Sequence, residues 1–252
     1  YSMTDEERCS LGLRTLVDPG PPETWATSRG RGKGSAPDEA PRLSCRNLSF
    51  SYGETPIFNE FNADFYAGEI SCIAGENGVG KTTLVRMLCG LAAPNSGEIS
   101  LDGVTSSRRH RRAACALVMQ DTGRQLFSDT LSGELTIGAS DAGGEAGEKL
   151  LADFDLANLG DRHPLSLSGG QKQRLVIAAA RAARRPIVIL DEPTSGVDAR
   201  HLESITATLR RIADEGAAVI VVTHDGEFAS ACADRLITLR PLDETCACEG
   251  DH

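Results

Sequence analysis

The chain has 252 residues, 40% of them hydrophobic, enough apolar mass to bury the core of one large domain. Asp and Glu outnumber Lys and Arg by 36 to 26, and the resulting net charge of −10 disfavours broad attachment to nucleic acid or anionic lipid, so no nucleic-acid partner is expected. No apolar run reaches the roughly 18 residues a membrane-crossing helix needs, and no apolar leader with a cleavage site precedes the rest, so a cytoplasmic location is expected.

Residues 1–40 are rich in Gly, Pro, Ser and charge, with Pro21-Pro22 and the run Gly30-Arg31-Gly32-Lys33-Gly34 breaking any period. They read as a disordered tail or interdomain linker, and the start at Tyr1 as that of an excised piece. An ordered domain is expected over 41–241. Leu43, Cys45, Leu48 and Phe50 open it with a strand-like pattern, and a second strand follows at Asn62–Tyr66, giving a small β-rich entry region. From Glu69 onward, short apolar strands alternate with amphipathic helices, the pattern of a parallel sheet covered by helices. Ile187–Leu190 and Ala217–Val222 are the clearest buried strands. Between them Leu202, Ile205, Leu209 and Ile212 recur at helical spacing, and Gly216 stands where a C-terminal cap is wanted. Residues 121–166 carry helical patterning and no convincing strand, which predicts an inserted α-helical subdomain. Residues 242–252 form a C-terminal tail. Of eight cysteines, Cys72, Cys89, Cys115 and Cys232 sit in apolar runs and are expected as reduced packing residues, whereas Cys246 and Cys248 lack the second ligand pair of a zinc site.

Gly75-Glu76-Asn77-Gly78-Val79-Gly80-Lys81-Thr82-Thr83 fits the phosphate-loop pattern G-x-x-x-x-G-K-[ST] and lies between a strand, Ile70–Ala74, and a helix carrying Leu84, Met87, Leu88 and Leu91. Glycines let backbone N–H groups turn toward phosphate oxygens, the helix N-terminus adds partial positive charge, and Lys81 brings a full one to the β- and γ-phosphates. The Thr82 hydroxyl is placed to ligate Mg²⁺. The fold class is therefore α/β: a P-loop NTPase core with a parallel sheet flanked by helices, a small antiparallel β subdomain and the helical insertion.

Ile187–Leu190 runs directly into Asp191-Glu192, placing two acids at the carboxyl end of a central strand, where open α/β sheets bind their ligands. Asp191 is positioned to hold Mg²⁺, directly or through water. Glu192 could polarise the attacking water as general base if its side chain reaches the γ-phosphate side.

The most discriminating segment is Leu167-Ser168-Gly169-Gly170-Gln171-Lys172-Gln173-Arg174, at the head of an apolar helix (Leu175–Ala180), where exposed N–H groups and a hydroxyl can face an anion. This octapeptide resembles the signature of the ATP-binding cassette family nearly letter for letter, and the resemblance extends over about 43–240. It implies a head-to-tail dimer on ATP, with Ser168, Gly169, Gly170 and Gln171 serving the ATP held by the partner's Gly75, Asn77, Gly78, Gly80, Lys81, Thr82 and Thr83. It also implies that Tyr52, in Phe50-Ser51-Tyr52-Gly53, stacks on adenine. Gln120 resembles the glutamine that touches the metal–water shell, Asp198 the aspartate that communicates across the dimer, and His224 the switch histidine that contacts the γ-phosphate. With Glu192 as base, every element of ATP hydrolysis is present.

The interval from Lys81 to Ser168 leaves no room for the long coiled coil of repair ATPases. The stretch Gln125-Leu126-Phe127-Ser128-Asp129-Thr130-Leu131, followed by Glu134 and Gly138, is similar to energy-coupling-factor importer ATPases, which drive uptake of vitamins and transition-metal ions. Asp121-Thr122-Gly123 departs from that pattern in lacking its proline. The resemblance implies integral membrane partners and a peripheral position on the cytoplasmic membrane face, with the partner docking beside Gln120 and Phe127. The alternative is a soluble cassette ATPase of translation or DNA repair; a linker-like start also fits the second half of a fused two-cassette chain. The run Arg108-Arg109-His110-Arg111-Arg112 is expected to be a solvated helix start.

Overall fold

The computed structural model describes residues 40–139, 142–194 and 199–242, side chains at 199–201 excepted. The expectations for the N-terminal tail up to residue 39, Asp198, Cys246 and Cys248 lie outside the described residues.

Two sheets form the scaffold. Strands β1 (Leu43–Tyr52), β2 (Thr55–Phe65), β4 (Ser96–Leu101) and β5 (Val104–Thr105) make an antiparallel sheet in the order β2-β1-β4-β5. The second strand thus begins well before Asn62: Thr55 pairs directly with Tyr52 across the tight turn at Gly53, whose φ of 59° suits a residue without Cβ. Strands β3 (Ile70–Ala74), β6 (Cys115–Val118), β7 (Ile187–Asp191), β8 (Ala218–Val222) and β9 (Arg235–Thr238) make an all-parallel sheet in the order β6-β7-β8-β3-β9.

Strand alternation divides the core in two. Ile187, Ile189, Ala218, Ile220 and Val222 face helix α1 (Lys81–Leu88) and the antiparallel sheet, against Leu84, Met87, Leu88, Leu43 and Phe65. Val188, Leu190, Val219 and Val221 face the other way, against α5 (Gly169–Ala182), α6 (Ala199–Asp214) and α7 (Gly226–Cys232). Both sides of β7 and β8 are therefore buried, which is why these strands read as unbroken apolar runs.

Between residues 121 and 166 the described elements are helical: a 3₁₀ turn at Thr122–Gln125, α3 (Leu131–Thr136), α4 (Gly144–Asp153) and a 3₁₀ turn at Pro164–Ser166. Leu131, Leu135, Leu151 and Phe154 bury against Leu175 and Val176 of α5, so this insertion shares the core on the sheet face opposite α1. Arg181 ties the same junction by pairing with Asp153 at the end of α4 (3.3 Å) and with Glu215 after α6 (2.9 Å).

Two further expectations fail locally. Leu91 does not extend α1; the helix ends at Leu88, Gly90 takes φ 74°, and Leu91 is exposed. The basic run forms α2 (Arg108–Ala114), capped by the Ser107 side chain, but it is not simply solvated. Arg111 is buried and donates to the Ser106 carbonyl, and Arg108 donates to the carbonyls of Gly90 and Leu91 at 3.2 Å each, binding α2 to the end of α1. The cysteines expected as packing residues are free thiols; Cys72, Cys89 and Cys232 are buried and Cys115 is half-buried. Burial pushes the thiol of Cys45, also in the core, up to about 12.

Candidate active site

The carboxyl ends of β3, β7 and β8 converge on one cleft of about 330 Å³, lined by Asn77, Gly78, Gly80, Lys81, Thr82, Thr83, Gln120, Asp191, Glu192 and His224. These residues come from four separate stretches of chain, and all are expected site residues.

The loop between β3 and α1 turns through glycines with φ of 86° at Gly78 and 100° at Gly80, conformations that L side chains rarely adopt. Gly80 is also the N-cap of α1, with no side chain to cap the first turn and no acidic residue in it. The first-turn N–H groups lack intrahelical partners and point with the positive end of the helix dipole toward the loop, which suits an anion. Lys81 is buried, and its Nζ donates to the carbonyls of Gly75 (2.6 Å) and Glu76 (2.9 Å), holding the ammonium under the loop.

The two acids after β7 diverge because the backbone does. Asp191 is still paired in the sheet with Val222, and its Oδ2 accepts from the Thr82 hydroxyl at 3.1 Å. Burial raises its pKa above the ordinary carboxylate value; the Thr82 hydrogen bond opposes this, the neighbouring Glu192 adds to it, and Lys81 lowers it again. A continued strand would send Glu192 to the opposite face. Instead Glu192 turns left-handed, φ 52°, directly before Pro193, while its N–H donates to the Val222 carbonyl at 2.8 Å. A non-glycine residue in this region costs about 1 kcal/mol or more, and the turn keeps both acids on the cleft. Glu192 Oε1 lies 2.9 Å from His224 Nδ1, whereas its Oε2 is buried with no hydrogen-bond partner among the described residues.

His224 is aimed by the turn that follows β8. The Thr223 N–H pairs with the Ile73 carbonyl (3.2 Å), the Asp225 N–H with the Thr223 hydroxyl (3.0 Å), and Asp225 caps α7 through the Phe228 N–H (3.0 Å). Gln120 leaves the end of β6 and is exposed in the cleft. Tyr52 ends β1 with 53% of its surface exposed, its ring edge-on to Phe50 and its hydroxyl 3.3 Å from that of Thr83. This is an open aromatic face beside the phosphate loop.

Ser168, Gly169, Gly170 and Gln171 do not line this cleft. They begin α5 with a reciprocal cap: Ser168 Oγ accepts from the Gln171 N–H (3.3 Å), and Gln171 Oε1 accepts from the Ser168 N–H (3.0 Å). Gly169 and Gly170 have no side chain to cover that helix end.

Two side chains quoted in the sequence only for their family likeness hold the loop after Gln120. Gln125 bonds the backbone of Leu117 and Met119, and the buried Glu134 accepts from the N–H groups of Phe127 (3.0 Å) and Ser128 (2.9 Å). A polar residue on the apolar face of α3 was the available signal for Glu134.

The family model for ABC transporters matches residues 58–195, more than half of the chain. The chain belongs to the ABC transporter family, as one of its ATPase domains. A putative ABC transporter ATP-binding protein of Treponema denticola is 42% identical over 197 residues, covering 78% of this chain and 40% of that protein. The cobalt import ATP-binding protein CbiO of Rhodobacter capsulatus is 35% identical over 212 residues, covering 79% of this chain and 76% of its own length. The structure of cbiO1 from Clostridium perfringens, described as part of the ABC transporter complex cbiONQ, superposes with a TM-score of 0.71 at 29% identity, covering 80% of this chain and 86% of that one. The chain thus spans well under half of the Treponema relative. No helix among the described residues is long and apolar enough to cross a membrane.

Proposed function

We propose that this cassette binds and hydrolyses Mg-ATP in a head-to-tail dimer and that the cycle drives solute uptake through integral membrane partners, of the energy-coupling-factor type that imports vitamins or metal ions. The observation that carries the hydrolytic part is the division of labour between adjacent acids: Asp191 on Thr82, Glu192 on His224, with Lys81 beneath the same loop.

A hydroxyl and a carboxylate 3.1 Å apart offer the hard oxygen donors that Mg²⁺ prefers. Thr82 and Asp191 would hold the ion, with Gln120 at its water shell, and when bound it supplies charge neutralisation at the β- and γ-phosphates. Lys81 shifts from loop carbonyls to phosphate oxygens. Glu192, held at Oε1 by His224, turns its carboxylate so that the buried Oε2 reaches the attacking water. As the water oxygen bonds to the γ-phosphorus, the bond to the bridging oxygen of ADP breaks and Oε2 takes the proton. His224 orients Glu192 and contacts the γ-phosphate.

The glycine-bare start of α5 offers an anion the same kind of helix-terminal N–H groups as the start of α1, yet it does not line its own cleft. Its proposed ligand is the γ-phosphate on a partner cassette, in another copy or a related chain, with Asp198 signalling across the interface. Uptake chemistry rests on the cobalt importer's likeness and on the Gln125–Leu131 stretch. The membrane partner would sit beside Gln120 and the 78% exposed Phe127, leaving the cassette peripheral on the cytoplasmic face.

Glu192→Gln keeps the side chain's shape and removes the base. Hydrolysis is expected to fall by about 10²-fold or more, with an ATP-bound dimer accumulating in size-exclusion chromatography with Mg-ATP. Normal turnover would remove Glu192 as base. Recovery of the native protein in ribosomal fractions, with no membrane protein co-purifying, would overturn the transport assignment.

A further inference from the structure

Among the described residues, strand β6 is the outer strand of the parallel sheet, bonded to β7 on one side only. In a strand, backbone groups alternate between the two edges, so an outer strand leaves every second N–H and C=O without a ladder partner. On β6 the pairing with β7 runs through Val118 opposite Leu190. The outer edge here presents the Leu117 carbonyl and the Met119 N–H, flanking Val118 and immediately preceding Gln120.

One side chain takes both. Gln125 Oε1 accepts from the Met119 N–H at 2.7 Å, and Gln125 Nε2 donates to the Leu117 carbonyl at 2.8 Å. The primary amide reproduces the donor–acceptor pair a neighbouring strand would offer, in one residue and at one point of the edge. Gln125 itself ends the 3₁₀ turn Thr122–Gln125, so the five-residue excursion from Gln120 is closed back onto the strand it left. Among the described residues it is this closure that holds the Met119 N–H, one residue before Gln120. The chain there is otherwise exposed, from Met119 through Asp121.

We infer that Gln125 is a positioning residue for Gln120: by pairing with the free edge of β6 it fixes the backbone from which Gln120 reaches into the nucleotide cleft. The inference rests on the reading of Gln120 as a group at the metal–water shell of ATP. Gln125 does not line the nucleotide cleft. Its loss should therefore act on turnover rather than on binding.

The test is a double-mutant cycle on Mg-ATP hydrolysis by the full chain, comparing Gln120→Ala, Gln125→Leu and the double variant. Gln125→Leu is expected to lower kcat by about 10-fold, the scale found when outer-shell partners of a metal site are removed, with the KM for ATP changed less than about two-fold. The double variant should be no slower than Gln120→Ala alone, because Gln125 acts only through Gln120. Gln125→Glu keeps an acceptor for the Met119 N–H and loses the donor for Leu117 at neutral pH. It should fall between wild type and Gln125→Leu, and it carries the same cycle if the leucine variant does not fold. Additive losses in the cycle, or a wild-type kcat in both Gln125 variants, overturn the positioning role. A wild-type kcat in Gln120→Ala instead overturns the reading of Gln120 on which it rests, and the two failures are told apart by which single variant is silent.

Discussion

At the scale of single residues, the site depends on backbone conformations that few side chains tolerate. Gly80 holds φ 100° at the mouth of α1, and a Cβ there would press on Ile57 and lie 2.8 Å from Phe58. Gly80→Ala is expected to cost about 1–3 kcal/mol in urea unfolding and to abolish tight ATP binding, because relieving the clash moves the loop off α1. Wild-type stability in that variant would refute the account. Glu192 is the converse case, a non-glycine residue whose left-handed turn is held by its N–H bond to the Val222 carbonyl, although Pro193 after it favours an extended residue there. Its identity as an acid after an apolar strand was legible in the sequence; its separation from Asp191 was not, because a dihedral angle is set by what the backbone bonds to. Arg111 shows the same limit. Its charge predicted solvent, and its burial follows from the Ser106 carbonyl that folding places beside it.

At the scale of elements, strands were more readable than the joints between them. Buried parallel strands such as β7 and β8 are apolar on both faces and announce themselves. The joint that leads the chain into the start of β3 is invisible in the pattern: the Asp234 carboxylate accepts from the Ile70 N–H at 2.8 Å and from both terminal nitrogens of Arg210, at 2.8 and 2.9 Å. Asp234→Ala orphans the Ile70 N–H and should destabilise the fold by about 1–3 kcal/mol, whereas Asp234→Asn keeps an acceptor and should lose less. Equal losses in chemical denaturation would assign the effect to packing. The cap of α5 is another such case. Ser168-x-x-Gln171 is a capping box in form, and the structure closes it on itself, so the helix start is stabilised by the same residues proposed to meet a partner's phosphate.

At the scale of the molecule, the cleft holds the phosphate loop, both acids, Gln120 and His224, while the start of α5 lies elsewhere. If the active unit is a homodimer, each composite site takes Lys81 from one protomer and Ser168 from the other. Two inactive variants, Lys81→Ala and Ser168→Ala, should then recover hydrolysis on mixing, because one mixed dimer arrangement contains one intact site. A random equimolar mixture should regain up to about a quarter of wild-type activity. No recovery, with both variants folded, would exclude self-pairing as the source of turnover.

The sequence by itself determined the family, the α/β class and the identity of the groups around the cleft, because those follow from glycine spacing, apolar periodicity and the chemistry of side chains at strand ends. Only the tertiary structure decided how those groups are aimed. The turn at Glu192, the closure of Gln125 on the edge of β6 and the burial of Arg111 all depend on backbone carbonyls and N–H groups that every residue carries alike. Such groups leave no mark in a sequence, and their partners are fixed only once distant segments have packed together.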